Sequence, residues 1–182
     1  CASWRKLGWV MNWLCVTLML CAFSPLDEMT YNNKEEFIEQ TRTCVMWYNT
    51  EVPPQRRIPW QLAVAQAIQE SNYGKSYFAT EANNIMGLKE FDDARDGLKP
   101  RDNPNVKWSI KIFDTKCQSM IFYMNLLNIN HNYEEFRLEQ LKQATADYAD
   151  LEKLAKSLAV YAEDVYYTQK IIRIMKELES ND

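Results

Sequence analysis

A chain of 182 residues is long enough for one ordinary domain with a substantial buried core. Its net charge of −4 argues against a charge-driven partnership with nucleic acid or an anionic membrane surface. Six Trp, ten Tyr and seven Phe exceed what core filling requires, and aromatic surpluses of this kind line grooves that bind sugars or peptides.

The first 26 residues form a separate segment. Arg5 and Lys6 precede an almost wholly apolar run, Leu7 to Phe23, and "SPLDE" then begins the polar body. This is the pattern of a secretory signal peptide or an N-terminal membrane anchor. The run lies near the lower limit of roughly 17–25 residues for a spanning helix. The two basic residues place its N-terminal side in the cytoplasm. No small-x-small cleavage site is convincing, so the reading favours an uncleaved inner-membrane anchor at 7–23, with a cleaved signal as the alternative. In both cases residues 27–182, the body, are expected to be exported to the periplasm. Three cysteines (Cys1, Cys15, Cys21) lie in the leader, leaving Cys44 and Cys117 in the body. Outside the cytoplasm these two either pair or remain as buried thiols. A single histidine, His131 in a polar turn, and the absence of any Cys-x-x-Cys leave no metal or cofactor to expect.

In chain order, "NKEEFIEQTRTCVMWYN" (33–49) predicts a helix offering Phe37, Ile38, Cys44, Val45 and Trp47 to a core. The proline-punctuated loop 50–59 ends it, and Pro59 suits the first turn of the next helix. There Leu62, Ala63, Ala65, Gln66 and Ile68 make a segment that must be packed on several sides, with Gly74 as its terminator. A short helix is predicted through "SYFATEAN". Residues 88–112 are polar and turn-rich until "VKWSIKI", where Val106, Trp108, Ile110 and Ile112 alternate with polar residues as in a half-buried strand. Helices are predicted at about 115–129, 133–144, 148–159 and 163–178. The fold class is mainly α, with a small β-hairpin lobe.

The chemistry narrows by elimination. Gly74-Lys75-Ser76 suggests a phosphate-binding loop, but Gln69 occupies the position of its first glycine and the preceding pattern is helical. Ser71 lacks the glycine-flanked turn of a serine nucleophile. Glu70 remains. A carboxylate near a helix C-terminus faces the negative end of the macrodipole, and partial burial beside aromatic rings adds to the pressure against ionisation. Those conditions suit a general acid near neutral pH.

The stretch "IPWQLAVAQAIQESNYGKSYFATEANNIMGLK" (58–89) resembles the signature of exported bacterial glucosaminidases, glycoside hydrolase family 73 in the broad sense. The pattern Ala-Gln-Ala-x-x-Glu-Ser-x-x-Gly-x-Ser is followed by Asn-Asn, two apolar residues, Gly, one apolar residue and Lys. It falls on Gln66, Glu70, Ser71, Gly74, Ser76, Asn83, Asn84, Gly87 and Lys89. Downstream, Phe113, Ser119, Tyr123, Leu127, Asn128, Tyr133, Phe136 and Arg137 resemble the Bax-type subgroup, and "YAEDVYY" (161–167) resembles the family's tyrosine motif. The resemblance spans about 35–178. It implies a lysozyme-like helical domain whose β-lobe flanks a substrate groove, and hydrolysis of a β-1,4 bond after N-acetylglucosamine in peptidoglycan or a related glycan. It implies Glu70 as the general acid and Tyr161 as a cleft tyrosine near the reacting sugar, its hydroxyl positioning water or a substrate oxygen. Gln66, Ser71, Asn83, Asn84, Tyr123 and Tyr167 are implied as substrate-binding, Tyr167 chiefly through packing. Asp164 is implied to order the start of the last helix. A monomer is expected.

One position departs from the pattern. The family commonly carries a second glutamate on the lobe strand, where this chain has Ser109. Inverting hydrolysis uses a second carboxylate, whereas the substrate's own 2-acetamido group can take its place in assisted mechanisms. Glu90, Asp92, Asp93, Asp96 and Asp102 lie in the lobe as candidate substitutes, each read first as a solvated loop acid, and Ser109→Glu is expected to leave activity unimpaired or raised. A lytic transglycosylase and a non-catalytic wall-binding protein are the alternatives.

Overall fold

The computed structural model describes residues 24, 27–92, 95–144, 150–161, 164 and 166–180. The leader at 7–23 lies outside the described residues. Among the described residues no helix is long and apolar enough to cross a membrane.

The first helix, α1 (Lys34–Glu51), begins where Asn33 Oδ1 accepts a hydrogen bond from the Glu36 amide and the Glu36 carboxylate accepts one from the Asn32 amide. This reciprocal cap satisfies amides that the first turn leaves open. After a short 3-10 turn (Pro54–Arg56), α2 (Trp60–Ser71) starts directly after Pro59. Every residue from Leu62 to Ile68 in α2 is buried. The helix is the centre of the molecule, with α1 packed on one side and α7 (Tyr167–Ser180) on another. Around it run α3 (Tyr77–Glu81), α4 (Lys116–Ile129), α5 (Glu134–Ala144) and α6 (Leu151–Lys156). Phe37, Tyr48, Met120, Met124, Leu127, Phe136 and Met175 close the core about Leu62 and Ile68. Asp164 orders the start of α7 as expected, accepting from the Tyr166 and Tyr167 amides and pairing with Lys170.

Two sequence expectations need correction, the terminator of α2 and the long alternating strand of the lobe. The terminator of α2 is Asn72, in the left-handed region at φ 50°, and Tyr73 and Gly74 continue there at 56° and 71°. Gly74 comes last because any side chain on it would meet the Tyr31 ring. The lobe is a three-stranded sheet, β1 (Lys89–Glu90), β2 (Gly97–Leu98) and β3 (Ser109–Lys111), ordered β1-β3-β2 with both pairs antiparallel. Because β3 is central and only three residues long, the alternation does not divide its faces cleanly. Ser109 and Ile110 are both buried, while Ile112 is exposed.

Cys44 and Cys117 form a disulfide between α1 and α4, with Cα atoms 5.8 Å apart and a sequence separation of 73. Closing a loop of that length stabilises a small domain by roughly 2–5 kcal/mol. Cys44→Ser/Cys117→Ser is therefore expected to lower the melting temperature markedly, and calorimetry with and without reductant measures the loss.

Candidate active site

An open groove of about 590 Å³ separates the β-lobe from the helices and is lined by Glu70, Lys111, Phe91, Phe122, Leu126 and Tyr161, among others. That volume is within the range of sites for small ligands. Among the described lining residues Glu70 is the only carboxylate.

Gln66 and Glu70 are one helical turn apart on α2, so their side chains share a face. That shared face carries a hydrogen-bonded row. The Tyr123 hydroxyl, on α4, donates to Gln66 Oε1, Gln66 Nε2 donates to the Tyr167 hydroxyl oxygen at 3.2 Å, and Tyr167 donates to the Glu70 carboxylate. Burial pushes the Glu70 carboxyl above its ordinary value, against the opposing pull of the Tyr167 hydrogen bond. The negative charge that Glu70 would carry pushes the Tyr167 hydroxyl up in turn, after burial.

The opposite flank of Glu70 is the turn 84–88. Asn84 Nδ2 donates to the carbonyls of Leu88 and Lys111, while its Oδ1 accepts from the Met86 and Leu88 amides. This fastens the turn to the lobe. Gly87 stands at φ 65°, and a Cβ there would lie 2.8 Å from Glu70 Oε2. The glycine thus supplies both the backbone conformation and the room for the carboxylate. Tyr161, partly buried, lines the groove and donates its hydroxyl proton to the Met86 carbonyl of the same turn. Its ring packs on Tyr123 and Tyr167.

Of the residues implied by the resemblance, Glu70 and Tyr161 reach the groove wall. The six named as substrate-binding do not line it. Gln66, Ser71, Asn84 and Tyr123 are essentially inaccessible, and Tyr167 is 5% exposed. Ser71 bonds the Ala67 carbonyl and accepts from the Gly74 amide, holding the loop after α2. Asn83, at φ 50°, donates to the Phe113 and Asp114 carbonyls and accepts from Lys116. In this structure the side chains of Ser71, Asn83 and Asn84 are committed to nearby backbone, and those of Gln66, Tyr123 and Tyr167 to the row behind Glu70. Sequence reasoning missed Phe91, Lys111 and Phe122. Phe91 and Phe122 are exposed despite their size, a fact that no periodicity signals.

Ser109 is buried, and its Oγ fills the space that a Cβ on Gly97 would need. Directly across the ladder is Glu90, also buried, which pairs with Lys111 and more loosely with Arg95 at 3.6 Å. The packing reverses the expectation that Ser109→Glu is harmless. A glutamate there overfills the site and faces Glu90, so Ser109→Glu is expected to cost about 1–3 kcal/mol in thermal unfolding without raising activity. Among the described residues no group of three potential ligands is placed to hold a metal ion.

A mainly helical domain with a small sheet across a groove is the lysozyme-like architecture. The profile of the mannosyl-glycoprotein endo-beta-N-acetylglucosaminidase family matches residues 50–180, and the chain belongs to that family of glycoside hydrolases. Among solved structures, it is similar to the catalytic domain of the autolysin Auto from Listeria monocytogenes. The two are 15% identical, the match covers 92% of this chain and 93% of that one, and the TM-score is 0.59. It is also similar to the glycoside hydrolase domain of FlgJ from Salmonella typhimurium, at 21% identity, 82% and 90% coverage and a TM-score of 0.57. At these identities the likeness is one of fold. No curated protein sequence matches the chain significantly.

Proposed function

We propose that this chain is an exported glucosaminidase that cleaves the β-1,4 bond following N-acetylglucosamine in peptidoglycan, with Glu70 as the general acid. The observation that carries the reading is Glu70 itself. It is set in the groove wall at the end of α2, with its carboxyl held above the ordinary range by burial and aimed by Tyr167. A protonated carboxyl there can donate to the departing glycosidic oxygen. The disulfide supports export, since such bonds persist mainly outside the reducing cytoplasm. The apolar leader supports it too, as a signal or an inner-membrane anchor.

With Glu70 the sole carboxylate among the described lining residues, the second catalytic group is assigned to the substrate. The 2-acetamido oxygen attacks the anomeric carbon as the bond breaks, and water then opens the cyclic intermediate. The same observation favours a second reading, in which the sugar's own 6-hydroxyl attacks and leaves an anhydro sugar. Digestion of purified peptidoglycan by the full chain, with products reduced and weighed by mass spectrometry, separates them. Reducing-end N-acetylglucosamine supports the proposal, anhydro-muramic ends support the second reading, and no soluble product from folded protein removes both.

The row behind Glu70 gives a further expectation. Tyr167→Phe deletes the donor that favours the ionised carboxylate, so Glu70 keeps its proton to higher pH. The alkaline limb of the pH–rate profile is expected to move upward. The same change strands the buried Gln66 amide, at a cost of roughly 1–3 kcal/mol. Stability and pH–rate measurements on one preparation read both effects.

A further inference from the structure

Two large apolar rings stand exposed in the Glu70 groove. Phe91, just after β1, is 71% exposed, and Phe122, on α4, is 41% exposed. They come from opposite sides, one from the lobe and one from the helical body. Phe91 is not on a loose tip, because Glu90 Oε1 accepts its amide at 3.1 Å and the Asp92 amide at 3.3 Å. Glu90 is in turn fixed by Lys111, whose ammonium lies 5.2 Å from the centre of the Phe122 ring. Phe122 is braced edge-on by Phe113, with ring centres 5.7 Å apart. The partly buried ion pair therefore sets both rings: it holds the backbone of one and sits over the face of the other. Fixing two exposed phenylalanines this way is costly for a solvent surface and useful for a ligand with flat apolar faces.

Pyranose rings have such faces, formed by their axial C–H groups, while their hydroxyl and acetamido groups point outward at the rim. Here the rim offers Lys111 and Asn130 as polar partners. We propose that Phe91 and Phe122 form a sugar clamp that seats an N-acetylhexosamine ring of a β-1,4-linked glycan next to the bond served by Glu70, with Glu90 and Lys111 as its brace. The clamp rests on the glycan-cleaving reading above and adds the residues that bind and place the chain of sugars. It also gives buried Glu90 a role, as the positioning group for Phe91.

The test uses the full chain carrying Glu70→Gln, which holds substrate without consuming it, and chitotetraose as the probe in titration calorimetry. Adding Phe91→Ala or Phe122→Ala is expected to weaken binding about tenfold each, and Phe122→Tyr to restore it. Unchanged melting temperatures show that the folded groove is being compared, as expected for exposed positions. If Glu70→Gln binds the tetramer and both alanine variants bind it equally well, the clamp is wrong while the glycan reading stands. If Glu70→Gln binds neither chitotetraose nor purified peptidoglycan, the glycan reading and the clamp fall together.

Discussion

Glu70→Gln is expected to abolish turnover, by about 100- to 10,000-fold, while leaving the fold intact. Gln is nearly the same size, and its amide oxygen can still accept from the Tyr167 hydroxyl, so the row from Tyr123 stays connected. What is lost is a donatable proton. Stability should move the other way. The folded pKa of Glu70 is raised, so the folded state holds a proton that the unfolded state has already released. Stability is then lost as pH rises from the ordinary carboxylate value through the raised one. Gln carries no such penalty, and the variant should melt at or above the parent temperature at neutral pH. Product release and calorimetry at pH 5 and pH 8 check both halves. Substantial activity in a folded Glu70→Gln would end the assignment of Glu70 as the acid.

The second large effect is expected at a residue with no functional group. Gly87→Ala places a methyl 2.8 Å from Glu70 Oε2 and holds an L-residue at φ 65°. The backbone cost is about 1–2 kcal/mol. The kinetic cost is larger, because the carboxylate must move, and displacement by about 1 Å costs on the order of 100-fold. Gly74→Ala is the control. It is strained in the same backbone region, but its methyl would meet Tyr31 rather than the groove. Gly74→Ala should lose stability and retain turnover per folded molecule, whereas Gly87→Ala should lose turnover out of proportion to its stability. Equal behaviour of the two would show that Gly87 matters only as a turn.

These expectations also mark what the sequence could and could not disclose. The helices were legible because their apolar spacing and the Pro59 start of α2 act locally, and the seven predicted helical segments fall within about four residues of their expected bounds. Glu70 was legible for the same reason, as an acid at the end of a helix whose other faces are apolar. The lobe was harder. A three-residue central strand takes its burial from two neighbours, and Gly97, which makes room for Ser109, is twelve residues away with no periodic relation to it. The six polar motif residues lie behind the groove lining, and a motif shows which positions belong together without showing whether they face the groove or hold its walls. Asn84 illustrates this: its amide spans two backbone segments, a role that can be read only after both are folded. Phe91 and Phe122 were invisible for the opposite reason, since an apolar residue in sequence is presumed to be core.

The row of donors ending at Glu70 points one way. Tyr123 gives to Gln66, Gln66 to Tyr167 and Tyr167 to the carboxylate, and the far end is sealed, with Tyr123 wholly inaccessible. In the proposed reaction such a row can steady Glu70 after it has surrendered its proton, but it has no reservoir from which to replace that proton. The replacement must enter from the mouth of the groove, and the water that opens the cyclic intermediate brings it, since that water sheds one proton as it bonds to the sugar and the ionised Glu70 is the base beside it. On that reading the acid is recharged by the hydrolytic step itself, and each turnover returns it ready for the next bond.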